Sequence, residues 1–87
     1  MDTGLKGRTA VVPGASSGLG LAVARALAAE GANVVLGGRR GEIVRDEASK
    51  LPSAVGVEID LTDPAATDAL VGAAQEHFGP VDVLVLN

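Results

Sequence analysis

Short apolar runs and longer periodic stretches alternate along the chain. Thr9, Ala10, Val11 and Val12 form a run with β-branched weight that Pro13-Gly14 ends, the pattern of a strand buried on both faces. Over residues 18–30, Leu19, Val23, Ala26 and Leu27 recur at helical spacing, and Gly31 stands where that helix would end. Val34, Val35 and Leu36 make a second continuous run, closed by Gly37-Gly38. After it, Val44, Ala48 and Leu51 mark the inner stripe of a second helix that Pro52 terminates. Val55, Val57 and Ile59 alternate with Gly56 and Glu58, the period of two expected when one face is well covered, as at a sheet edge. Asp63 before Pro64 predicts a helix start, with a side-chain acceptor at the cap and a proline whose missing N–H costs nothing in the first turn. Leu70, Ala74 and Phe78 supply that helix's stripe, and Gly79-Pro80 its stop. Val83, Leu84, Val85 and Leu86 form a fourth run, apolar at every position, before Asn87.

Strands alternating with helices in the order β-α-β-α-β-α-β predict an α/β fold built on a parallel sheet with right-handed crossovers. The doubly wound strand order 3-2-1-4 fits, because it puts the alternating third strand at the edge. In that order the fourth strand lacks a further neighbour, yet its composition is that of a strand flanked on both sides. Residues 1–87 are therefore expected to form a single, incomplete Rossmann-type domain, and no repeat, low-complexity tract or linker marks a second one.

Composition narrows the function classes. A chain of 87 residues can bury one modest core, with roughly 60–65% of its unfolded surface removed. Hydrophobic residues make up 47%, but Phe78 is the one aromatic, so the core must come from alanine, valine and leucine, small side chains suited to closely packed layers. The net charge is −4 and the seven basic residues are scattered, which argues against a nucleic-acid surface or an attraction to anionic lipid. Without cysteine there is neither a disulfide nor a thiolate metal site. The opening MDTGLKGR has no apolar signal core, and no stretch approaches the roughly 18 apolar residues of a membrane span. A cytoplasmic protein is expected.

The sharpest chemical signal is GASSGLG at residues 14–20. A phosphate beside a strand-to-helix turn is held by backbone N–H groups and by the positive end of the helix dipole, and every Cβ in the way costs distance. Gly14 would allow the tight turn off the strand, Gly18 the approach of a pyrophosphate, and Gly20 close packing of the helix. Ser16 and Ser17 add hydroxyls. The spacing is G-x-x-x-G-x-G rather than G-x-G-x-x-G, but the strand before it, the helix after it and the surrounding βαβ unit are the context that such a loop requires. The remaining candidates are weaker. His77 suits the carboxyl end of its helix, Asp63 is better used as a cap than as a metal ligand beside Asp60, and Ser16 and Ser17 have no histidine partner nearby in sequence. Glu42, Asp46, Glu47 and Lys50 read as a solvated helix face.

Taken together, LKGRTAVV, GASSGLG, IDLTD and DVLVLN resemble the classical short-chain dehydrogenase/reductase family over essentially the whole chain. GASSGLG is similar to its TGxxxGxG cofactor loop, and DVLVLN to the approach to its NNAG motif. The resemblance implies that Asp60 hydrogen-bonds the adenine amino group, that the backbone at Leu61 completes the adenine contact, and that Asn87 lines the adenosine ribose. Pro13 stands in place of the family's threonine, and Leu86 in place of the first asparagine of NNAG. The implied reaction is hydride transfer between a nicotinamide and a carbonyl or alcohol carbon. The family's catalytic serine, its Tyr-x-x-x-Lys helix and its helix asparagine all lie beyond the equivalent of Asn87, and this chain has no tyrosine. No catalytic residue is carried over.

NAD-selecting folds place an acid at the end of the second strand, roughly 20 residues past the loop, to bind the ribose 2′-hydroxyl. Here that position is Gly38, and Arg39 and Arg40 follow, able to meet a 2′-phosphate with charge-assisted bonds. NADP(H) is therefore expected over NAD(H). The expected cofactor-binding residues are Gly14, Ser16, Ser17, Gly18, Leu19, Gly20, Gly38, Arg39, Arg40, Asp60, Leu61 and Asn87, with no metal. The expected partners are a nicotinamide dinucleotide, a small carbonyl or alcohol substrate in a full-length form, and further copies of the chain through the exposed fourth strand. A stand-alone nucleotide-binding module and a fragment without ligand function are the alternatives.

Overall fold

The computed structural model describes residues 4–16 and 18–79 and the backbone of residues 83–85. The elements run β1 (Thr9–Pro13), α1 (Gly18–Ala29), β2 (Asn33–Gly38), α2 (Gly41–Ser49), β3 (Ala54–Glu58), α3 (Ala66–Phe78) and β4 (Val83–Val85). β1, β2 and β3 form a parallel sheet in which Val11 stands beside Val35 and Val35 beside Val55. β4 pairs parallel to the other side of β1, with Thr9 beside Val83.

Side chains that alternate along a strand go to opposite faces, and here both faces are covered. Val12, Val34 and Leu36 meet Ala24 and Ala28 of α1 and Val44 and Ala48 of α2. Val11 and Val35 meet Ile59 and Leu70 and Ala74 of α3. The alanine-rich composition appears as close approach. At Gly56 on β3, an added Cβ would lie 2.5 Å from the main chain of Val44 and Arg45, so α2 rests directly on the strand. β3 pairs with β2, and its Ala54, Val55, Gly56 and Val57 are only half-buried, as the alternation of this segment predicts for an edge.

Several boundaries differ from the sequence expectation: β1 takes in Pro13, and β3 begins at Ala54 and ends at Glu58, before Ile59. Gly37 and Gly38 extend β2 instead of closing it, because Leu70, Ile59, Val44 and Ser16 fill the space their side chains would occupy. α2 ends at Ser49, and Leu51 follows it with its N–H donating to the Ala48 carbonyl. α3 starts at Ala66, two residues after Pro64, and Asp63 closes the turn that leads into it: its carboxylate accepts from the Ala65 N–H at 2.9 Å and its carbonyl from the Ala66 N–H at 3.0 Å. Gly31, with φ 90°, ends α1 as expected.

Candidate functional site

Parallel, in-register strands bring their carboxyl ends, and the loops that follow, to one edge of the sheet. The turn after β1, the Arg39-Arg40 step after β2 and the segment after β3 meet there. Gly14, Ser16, Gly38, Arg39, Arg40 and Leu61 line a single cleft of about 390 Å³, together with Ile43 from the first turn of α2. A second cleft of about 160 Å³ is lined by Arg39, Glu58, Ile59 and Asp60.

The glycine loop owes its shape to backbone states that side chains disfavour. Gly14 and Gly18 have φ of 70° and 63°, in the left-handed region. A Cβ on Gly18 would meet no atom within 4 Å, so that side of the loop is open. At Gly20 the added atom would overlap the Gly14 carbonyl oxygen. The close contact of Gly20 is thus with the turn itself, rather than with the sheet behind it. Ala15 donates its N–H to the Gly37 carbonyl at 2.8 Å, which fastens the loop to β2. Leaving the turn, α1 has no acidic residue in its first turn to neutralise the positive end of its dipole. Its leading N–H groups lack intrahelical acceptors.

Leu19, 81% exposed, opens α1, and Leu61, 49% exposed, reaches over the loop with Cδ1 3.7 Å from the Cβ position of Gly14. They are the large apolar side chains left exposed among the described residues. Asp60 lines the smaller cleft, not the larger. Its Oδ1 accepts from the Thr62 hydroxyl at 2.7 Å and the Thr62 N–H at 2.9 Å. These bonds, reinforced by the positive charge of Arg39, hold its carboxyl below the usual carboxylate range. Ser17 and Asn87 lie outside the described residues.

Two residues at this edge escape the sequence argument. Ile43 sits beside the buried Val44 but off the stripe that Val44 and Ala48 define, and an apolar residue so placed in the opening turn of a helix faces the preceding loop. Glu58 is brought opposite Gly38 by strand register, which periodicity alone does not reveal. Away from this edge, one residue of α2 departs from the sequence expectation. Glu47 is not merely part of a solvated face: its side chain is 12% exposed and accepts from Arg25 of α1 at 2.7 Å and from Lys50 at 2.9 Å, tying the two helices together. Among the described residues no cluster of His, Asp or Glu could hold a metal ion, and no helix is long and apolar enough to cross a membrane.

Known proteins resemble this chain in sequence and in fold. The chain is 52% identical over 86 residues to the glycine betaine reductase ATRR of Emericella nidulans, covering 93% of this chain and 7% of that protein. It is 42% identical over 86 residues to the galactitol 2-dehydrogenase of Agrobacterium fabrum, covering 95% and 33%. L-sorbose reductase from Gluconobacter frateurii, solved with NADPH and L-sorbose, superposes with a TM-score of 0.86 at 38% identity, over 100% of this chain and 35% of that one. This chain therefore spans about a third or less of the length of these relatives. The sequence pattern of the short chain dehydrogenase family matches residues 8–87, and the chain belongs to that family.

Proposed function

We propose that residues 1–87 are a dinucleotide-binding domain, the NADP(H)-binding portion of a short-chain reductase, and that the strand order 3-2-1-4 is the first part of a doubly wound sheet. The observation that carries this reading is the convergence of an open glycine loop and two arginines on one cleft, with no side chain at Gly38.

The residues present fit such a cofactor. Gly14, Gly18 and Gly20, with Ser16, Ser17 and Leu19, would seat the pyrophosphate at the start of α1. Arg39 and Arg40 would bind the 2′-phosphate, and Asp60, Leu61 and Asn87 the adenosine. When bound, the nicotinamide supplies hydride exchange with a carbonyl or alcohol carbon. The chain's own part is to bind and orient. With no tyrosine in the sequence, it supplies no proton donor of the kind the family uses, and turnover by these 87 residues alone is not expected.

The test is a titration that follows the fluorescence of NADPH and NADH in parallel, since the chain has no tryptophan to report. NADPH should bind more tightly. Arg39→Ala should weaken NADPH by about 1–3 kcal/mol and NADH much less. Equal loss for both would refute the preference, and no saturable change at millimolar protein would refute the site.

A further inference from the structure

The two clefts share a wall. Arg39 lines the larger one beside Gly38 and Arg40, and it also lines the smaller one with Glu58 and Asp60. Strand register sets Glu58 directly across from Gly38, where NAD-selecting sheets carry an acid on the second strand. Gly38 brings no side chain, so the carboxylate in this row of the sheet comes from one strand further out. Glu58 Oε1 stands 2.5 Å from the Cβ position of Gly41, and the Arg45 guanidinium nitrogens stand 2.8 and 2.9 Å from the same point, so both charges crowd the opening of α2. The charged residues that line the two clefts or crowd Gly41 are then basic Arg39, Arg40 and Arg45 and acidic Glu58 and Asp60. None of the ion pairs among the described residues involves Arg39 or Glu58.

We propose that Glu58, which lines the smaller cleft with Arg39, is a specificity-setting residue of this site, whose carboxylate restrains affinity for a 2′-phosphorylated dinucleotide and keeps the unphosphorylated one competitive. The inference rests on the cleft being a dinucleotide site. Its physical basis is simple. A carboxylate lining the same cleft as Arg39 lowers the positive potential there and repels a dianionic phosphate, whereas a ribose 2′-hydroxyl carries no charge to be repelled. Asp60 adds to the same field, but its expected contact with adenine would mix two effects, so Glu58 gives the cleaner reading.

The experiment compares NADPH and NADH affinities of the parent chain, Glu58→Gln and Glu58→Ser, with circular dichroism to establish that each is folded. Because Glu58 is exposed at the end of an edge strand, both neutral variants should fold. The expected result is an NADPH affinity about two- to fivefold tighter in either variant, the size typical of an exposed charge pair, with NADH unchanged. The gain should shrink as salt screens the field. Equal shifts for both cofactors, or none, while the parent still binds NADPH, would overturn the role of Glu58 and leave the site standing. Failure of the parent to bind either cofactor would overturn the site and this inference together.

Discussion

Gly20 packs onto the main chain of Gly14 so closely that a Cβ at position 20 would fall on the Gly14 carbonyl, 3.0 Å from its carbon atom. Backbone cannot yield as the end of a side chain can, so Gly20→Ala must displace either the loop or α1. The expected cost is about 1–3 kcal/mol of stability in a urea melt. Gly18→Asn makes the control: the space around Gly18 is open and asparagine tolerates its φ of 63°, so stability should stay within about 1 kcal/mol of the parent.

Ile43 contributes apolar area to the larger cleft without charge. Ile43→Ala should therefore weaken NADPH and NADH alike, by about 1 kcal/mol for the area left uncovered. Parallel titrations separate this uniform loss from the selective loss expected of Arg39→Ala.

Glu47 gives the fold a pH dependence. Hydrogen bonds from Lys50 and Arg25 hold its carboxyl below the ordinary value. A carboxyl lowered by folding stabilises the native state above its unfolded-state pKa, and that contribution fades as the pH falls through the lower, folded value. Melts from about pH 7 down to about pH 3 should show a loss of stability that is smaller in Glu47→Gln, whose own stability at neutral pH is reduced. Identical pH profiles would exclude this role.

β4 has β1 as its one strand neighbour among the described residues. An open parallel edge invites pairing with another strand. Sedimentation velocity on the isolated chain should show dimers or larger species growing with concentration, and a stable monomer across that range would contradict the expectation.

Much of this fold is legible in the sequence because glycine and proline punctuate it, but the stripe expected of the first helix is not the one buried: Leu19 and Ala26 are exposed, and Ala24 and Ala28 face the core. Misreadings arise where one residue type serves two purposes. Gly37-Gly38 looks like the end of a strand, but β2 continues through it, since the missing side chains make room for Leu70, Ile59 and Val44. Asp63 makes the bond expected of a cap, to the Ala65 N–H, yet the regular helix begins only at Ala66, after the turn that this bond closes. For the site, the glycine loop and the arginine pair could be read locally. Ile43 and Glu58 could not, since one depends on which way a helix faces in its first turn and the other on how two strands are aligned.

The bond from Ala15 to the Gly37 carbonyl has a consequence for redesign. It splices the turn after β1 to the strand tip that carries Gly38, Arg39 and Arg40, so the two halves of the cleft are mechanically one piece. Grafting a different tip onto residues 38–40 to switch coenzyme preference would pull on the anchor one residue upstream and deform the neighbouring turn. Transplants that keep the carbonyl of residue 37 in place should preserve binding strength while changing choice, and those that shift it should lose both.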